Sequence, residues 1–139
     1  MTRMTEVSKN RTPSIRMLAM PSDTNPSGDI FGGWLMSLMD LAGANKAYQR
    51  ANGRVATIAV DKIEFHKPVA VGDLVTCFAD ITHVGRTSLT TKVEVFVGHD
   101  DVGGNFVKVT EGEFTYVAID MRGQKRLLDS TPKQYPCLS

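Results

Sequence analysis

The sequence has no long hydrophobic run and no excess of charge of either sign. A transmembrane helix needs an apolar stretch of about 18 residues, and the chain contains none. Its 16 basic residues nearly balance its 15 acidic ones, which leaves a net charge of +1 and no global field for nucleic acid or membranes. The first residues are polar and lack the apolar core of a signal peptide. We therefore expect no nucleic-acid partner and no membrane partner.

Cysteine is scarce, and several motifs of cofactor and catalytic sites are missing. Cys77 lies within a strand pattern and Cys137 lies near the end, so we expect no structural disulfide and a reducing cytoplasm. His83 and His99 are not at metal-ligand spacing, and residues 99–101 are interpreted as solvated charge, so no metal site is predicted. The chain has no P-loop, no dinucleotide-binding glycine motif and no serine-hydrolase elbow, so no cofactor is expected.

The most informative stretch runs from residue 21 to residue 48. It begins with turn-forming residues and continues as a helix over about 32–50 that is apolar nearly all round, which is typical of a buried helix. Asp40 lies in the middle of this helix, and a charge there is costly unless it is paired or used. It is either a satisfied buried acid or a catalytic one. Its helical face carries mostly small residues: Gly33, Met36, Ser37, Gly43, Ala44 and Ala47.

The remaining periodicity predicts one strand before the helix and four after it. The predicted strands cover residues 14–20, 55–66, 74–83, 89–97 and 106–119. Short turns between sequential strands indicate an antiparallel meander, so the fold class is α+β, with the helix packed on one sheet face. A single sheet covers only part of such a helix, so either the sheet curls around it or a second subunit covers the rest. We expect a tail over 1–13, one domain over 14–125 and a second tail over 126–139.

Three further segments carry candidate site residues, each with a purely structural alternative. Asn25 is either a turn residue before Pro26 or a polar group of a site. The glycines that open the helix either cap it or leave backbone N–H groups free to bind a developing negative charge. The turn over residues 84–88 is either a bare hairpin or a phosphate site. The candidates in these last two segments are Gly32, Gly33, Arg86, Thr87 and Ser88.

Residues 20–43, MPSDTNPSGDIFGGWLMSLMDLAG, closely resemble the acyl-CoA thioesterases of the hotdog fold, in particular the small bacterial YciA-like group. The resemblance covers roughly residues 14–125 and continues through 53–57, 65–73, 84–88 and 117–120. It implies a long central helix wrapped by a curved, five-stranded antiparallel sheet. It also implies a homodimer in which two sheets become one, and in many members a trimer of dimers.

The resemblance further implies hydrolysis of acyl-CoA thioesters to free acid and coenzyme A, within fatty acid metabolism. Asp40 matches the family's helix acid, and Asn25 matches an asparagine that the partner subunit contributes. Gly32 or Gly33 matches the helix start that polarises the thioester carbonyl. Other hotdog families have histidine before the two glycines, whereas this chain has Phe31, which excludes a histidine role there.

Because coenzyme A carries several phosphates, its site needs cations and donors, and we expect Arg86, Thr87, Ser88 and Lys67 to supply them. Asp40 would act either as a general base on water or as a nucleophile. Two alternatives remain open. A hotdog dehydratase would need a histidine near Asp40, and a non-catalytic acyl-CoA binding module would not need Asp40 to be charged.

Overall fold

The computed structural model of the protein describes residues 11–98 and 106–129. One long helix, α1 (Gly32–Ala51), follows a short 3-10 turn over Pro21–Asp23. Five strands complete the fold: β1 (Ile15–Leu18), β2 (Val55–Phe65), β3 (Leu74–Val84), β4 (Ser88–Gly98) and β5 (Val107–Ala118). Every predicted element is present, and each of its ends lies within two residues of the predicted one.

All strand pairs are antiparallel, and the sheet order is β1-β3-β4-β5-β2. The predicted meander is therefore wrong in one strand pairing, because β2 pairs with β5 and not with β3. The segment between β2 and β3 covers residues 66–73, which is longer than a usual hairpin loop. It runs past the start of α1, where the Ile30 N–H donates to the Val69 carbonyl at 3.1 Å.

The helix packs against all five strands and forms the centre of the core. It ends at Asn52, whose left-handed backbone (φ 51°) lets its N–H donate to the Tyr48 carbonyl. The buried residues of α1 are Leu35, Leu38, Met39, Ala42, Gly43, Ala47 and Ala51. The opposite side is open in a single chain, where Leu41 is 61% exposed. The sheet therefore covers only part of the apolar helix.

Strand β2 forms one edge of the sheet and carries unusual apolar exposure. Ile58, Val60 and Phe65 are all exposed, and the pairing of β2 with β5 is irregular after Thr57 and after Asp61. A long edge strand with exposed apolar side chains favours pairing with another chain.

The predicted tails are only partly described. Arg11 forms ion pairs with Glu94, at 3.1 Å, and with Asp80. Near the other end, the Arg126 guanidinium donates to the Ala51 carbonyl at 2.7 Å, and Leu128 is buried in the core. Residues 1–10 and 130–139 lie outside the described residues, so the domain boundaries stay predictions.

Candidate functional site

Asp40 is half-buried and accepts hydrogen bonds from two hydroxyl groups of the sheet. The Thr57 hydroxyl donates to its Oδ1 at 2.8 Å. The Tyr116 hydroxyl lies 3.0 Å from the same Oδ1 and 2.9 Å from the Asp40 carbonyl oxygen. The aspartate is thus a paired acid of the helix–sheet interface, which explains how an apolar helix tolerates it.

The sequence did not predict these two donors, because they come from strands far along the chain. Thr57 on β2 and Tyr116 on β5 stand directly opposite each other in the sheet register. The local signal is a tyrosine on the inward side of β5, which alternates with polar residues and shares that side with Gly112 and Phe114. Burial, together with the negative charge of Asp40, raises the pKa of Tyr116, so its hydroxyl keeps its proton and serves as a donor.

Both donors use the same oxygen of the carboxylate. Within the described part of the chain, Oδ2 of Asp40 has no hydrogen-bond donor from the protein. Oδ2 is therefore the oxygen that is available to water or to a substrate.

The start of α1 forms a second group of candidate residues. Phe31 is the N-cap and provides no side-chain cap, so the N–H groups of Gly32 and Gly33 have no intrahelical acceptor. A cavity of about 290 Å³ opens here, and its lining includes Gly32, Phe65 and Lys67. The structure thus places Gly32, one of the predicted glycines, and Lys67, one of the two predicted cations, around the same cavity.

The side-chain oxygen of Asn25 stabilises its own loop, and its side-chain NH₂ group has no acceptor among the described residues. Its Oδ1 accepts the N–H groups of Ser27 and Asp29 at 3.0 and 3.1 Å. The turn interpretation of Asn25 is therefore correct, but these contacts occupy only the oxygen. The side-chain NH₂ group is left as a donor.

Residues 86–88 join β3 to β4 at the same end of the sheet as Asp40. Ser88 pairs with Val117, the neighbour of Tyr116. The Arg86 carbonyl accepts the Leu128 N–H at 2.9 Å, and the Arg86 side chain is exposed. The backbone of this turn is fixed while its cation points to solvent.

A single chain does not bring all candidate residues together. Asp40 comes eight residues after Gly32 in α1, which is about 12 Å along a helix. Lys67 follows the end of β2, whereas Thr57 lies near its start, ten residues earlier and about 30 Å away along an extended chain. The candidates thus form an acid group around Asp40 and Arg86, and a helix-start group around Gly32 and Lys67.

One further cluster lies on the outer face of the sheet. Ligand atoms of Glu64, His66 and Glu111 lie within 4.8 Å of one another. Glu111 is already paired with Lys108 and lies 3.9 Å from Lys92, so its charge is compensated by lysines. The segment 99–101, which includes His99, lies outside the described residues.

Two other sequence expectations concern Cys77 and membranes. Cys77 is a free, buried thiol, and burial raises its pKa to about 12, which makes it unreactive. Cys137 lies outside the described residues. Among the described residues, no helix is both long and apolar enough to cross a membrane.

Comparison with known proteins identifies close relatives. The family profile of the Thioesterase superfamily matches residues 27–103. The acyl-CoA thioester hydrolase YciA of Escherichia coli (strain K12) is 49% identical over 82% of this chain and 88% of its own length. The hexameric thioesterase y2039 of Yersinia pestis is 51% identical, with a TM-score of 0.79 over 88% of this chain and 98% of that one. HI0827, a hexameric broad specificity acyl-coenzyme A thioesterase solved as an aspartate-to-alanine mutant, is 47% identical, with a TM-score of 0.79 over 84% of this chain and 86% of that one.

Proposed function

Because the chain belongs to the Thioesterase superfamily, we propose that it is an enzyme that hydrolyses acyl-CoA thioesters to a free carboxylic acid and coenzyme A. The observation that carries the chemistry is the carboxylate of Asp40, held through Oδ1 by Thr57 and Tyr116, with Oδ2 open. A carboxylate fixed at one oxygen and open at the other suits a general base or a nucleophile.

The reaction needs little more than this carboxylate and a site for the oxyanion. Asp40 either removes a proton from water, which then attacks the thioester carbonyl, or attacks that carbonyl itself to form an anhydride that water hydrolyses. In both cases the carbonyl oxygen gains negative charge. The free N–H groups of Gly32 and Gly33, at the positive end of the helix dipole, would stabilise that charge. The amide of Asn25 would orient water or the substrate.

This chemistry requires two subunits, because Asp40 and Gly32 are about 12 Å apart within one helix. We propose a homodimer formed by antiparallel pairing of the β2 edges about a two-fold axis. Such pairing places the Thr57 end of one β2 beside the Phe65 end of the other. Asp40 of one subunit would then face Gly32 of the second copy. The exposed Ile58 and Val60 would be covered in the same contact.

The higher assembly follows from the relatives. The thioesterases y2039 and HI0827 are hexameric, so we propose that three such dimers assemble into a hexamer. The proposed location is the cytoplasm. It is supported by Cys77, which is a free thiol, because cysteines stay reduced in that compartment.

We propose that coenzyme A binds between the two groups. Arg86, Thr87 and Ser88 of one subunit would contact its phosphates, and Lys67 of the other subunit would add a second cation. The cavity beside Lys67 and Gly32 would admit the part of the substrate that leads to the thioester. Among the described residues, the side chains that hydrogen-bond the Asp40 carboxylate are a threonine and a tyrosine and not a histidine, so the dehydratase alternative lacks the residue that it needs.

The test is release of free thiol from a panel of acyl-CoAs by the wild type and by Asp40→Asn. We expect the variant to lose at least ~10²-fold in kcat, because an amide neither accepts a proton at neutral pH nor attacks a carbonyl. It should keep its oligomeric state and its binding of coenzyme A, since the amide has nearly the same shape. Thiol release at the wild-type rate by Asp40→Asn would refute the role of Asp40. Binding of acyl-CoA by the wild type without thiol release would instead indicate a binding module.

A further inference from the structure

The hydroxyl of Tyr116 reaches the backbone of α1 through a gap left by a glycine. Its ring is fully buried, and its oxygen lies 2.9 Å from the Asp40 carbonyl oxygen. A Cβ added at Gly43 would overlap this hydroxyl oxygen and would also lie 2.8 Å from the Thr91 hydroxyl. Gly43 is thus the residue that lets a strand hydroxyl approach the helix at the level of Asp40.

A third hydroxyl lies beside that of Tyr116. The Thr91 side chain on β4 is fully buried, and its hydroxyl donates to the Phe114 carbonyl at 3.4 Å. Asp40 itself accepts from Tyr116 on β5 and from Thr57 on β2, at one carboxylate oxygen. Donors on two neighbouring strands hold the carboxylate in one arrangement.

We propose that Tyr116 is a positioning residue for hydrolysis, whose hydroxyl locks the Asp40 carboxylate so that Oδ2 faces the thioester. This proposal rests on the role of Asp40 proposed above. Without the tyrosine, Thr57 alone would hold Oδ1, and the carboxylate would rotate about its χ2 bond, which is a soft torsion. Because the hydroxyl also faces the Asp40 carbonyl oxygen, it ties the side chain to its own backbone.

The direct test is Tyr116→Phe, which removes one oxygen and keeps the ring in the core. We expect kcat to fall about 10–100-fold, as for loss of a hydrogen bond to a charged group, with KM for acyl-CoA unchanged.

The matched control is Thr115→Val. Thr115 precedes Tyr116 on β5, and its hydroxyl lies 3.1 Å from that of Thr90 in a sheet position that alternates to the opposite face. This variant also loses a half-buried hydroxyl and should keep the wild-type kcat.

Combination with Asp40→Asn separates positioning from general packing. If Tyr116 acts through the carboxylate, Tyr116→Phe adds no further loss to the residual rate of Asp40→Asn. An equal loss in both backgrounds would assign Tyr116 a structural role and overturn the proposal. Full activity of Tyr116→Phe beside an inactive Asp40→Asn would overturn this proposal alone. Full activity of Asp40→Asn would remove the proposed role of Asp40 and this inference together, while thioester hydrolysis itself would stand.

Discussion

At the scale of single residues, the site depends on which groups can donate to a carboxylate inside an apolar helix. A hydrogen bond to a charged group contributes about 1.5–3 kcal/mol, and Asp40 accepts from both Thr57 and Tyr116. Those contacts offset part of the cost of removing the charge from water. They also leave Oδ2 without a donor among the described residues, so the proposed chemistry falls to that oxygen while Oδ1 makes the stabilising contacts.

Arg86 offers a prediction at this scale. We expect Arg86→Ala to raise KM for acyl-CoA while kcat changes little, since a phosphate contact far from the carbonyl contributes the same binding to substrate and transition state. A charge-assisted contact of this kind should be worth roughly 1–3 kcal/mol. Steady-state kinetics on one acyl-CoA would measure both constants. An unchanged KM would place the phosphate site elsewhere.

The control for Arg86 is an arginine on the far edge of the sheet. Arg16 on β1 donates to the Thr76 hydroxyl at 3.1 Å, on a strand that does not join the proposed dimer edge. Arg16→Ala removes the same charge from the chain and should leave KM unchanged. Equal effects of the two variants would indicate a general electrostatic contribution to binding.

The sequence predicted those candidate residues that are unusual among their neighbours along the chain. Asp40 and the glycines before it stand out because each is unusual within its own helix. Thr57 and Tyr116 do not stand out, because their importance arises only from the register that places them opposite each other. A threonine in a strand is ordinary, and only the fold makes it a donor to Asp40.

At the scale of elements, the same distinction separates the strands from their order. Alternating hydrophobicity is a local property, and it predicted all five strands and the helix to within two residues at each end. The pairing of β2 with β5 is a non-local property that short-range pattern does not encode. The eight residues of 66–73 were the available indication, because a hairpin rarely needs so many.

The outer face of the sheet carries an ion network that joins β4 to β5. Lys108 lies 2.8 Å from Glu94 and also pairs with Glu111. The hydrogen bond and charge of Lys108 lower the pKa of Glu111. Burial alone would raise the pKa of Glu94, but Lys108 and Arg11 outweigh it and lower that pKa. Burial alone would lower the pKa of Lys108, but its contacts with Glu111 and Glu94 outweigh burial and raise that pKa.

These shifts predict how stability depends on pH. Each glutamate with a lowered pKa stabilises the fold above pH 4.5, its ordinary pKa, and this stabilisation is lost as the pH falls through the lowered pKa. Lys108, whose pKa is raised, stabilises the fold below pH 10.5, its ordinary pKa, and this stabilisation is lost as the pH rises through the raised pKa. We expect Lys108→Met to lower the free energy of unfolding by about 1–3 kcal/mol at neutral pH. The difference from wild type should shrink as the glutamates become protonated.

Thermal unfolding between neutral pH and about pH 3 would follow this difference, with Arg50→Met as the control. Arg50 pairs with Asp129 at 3.5 Å, but the carboxylate is 88% exposed, and exposed pairs contribute little. A gap between wild type and Lys108→Met that stays constant with pH would mean that packing of the lysine stem, and not its charge, stabilises β4 and β5.

At the scale of the whole molecule, the single chain is incomplete in two independent respects. Its helix exposes Leu41 and its edge strand exposes Ile58, so apolar surface remains uncovered. Its two groups of candidate residues also lie at opposite ends of β2. The proposed antiparallel pairing of β2 with a second copy would resolve both, because it would cover the edge and join the acid group of one subunit to the helix start of the other.

Mixed oligomers test this arrangement directly. In a dimer of one Asn25→Ala chain and one Asp40→Asn chain, one site combines the intact Asp40 with the intact Asn25 of the other chain, while the second site has lost both. Coexpression with two affinity tags isolates the mixed species, and thiol release measures its activity. If sites form across the interface, each mixed dimer within the hexamer has about half of the wild-type activity, so the mixed species exceeds the average of its two parents. If each site lies within one subunit, every site carries one defect, and the activity cannot exceed the average of the two parents. That second result would leave Asn25 as a residue of its own loop, where its Oδ1 already binds the N–H groups of Ser27 and Asp29.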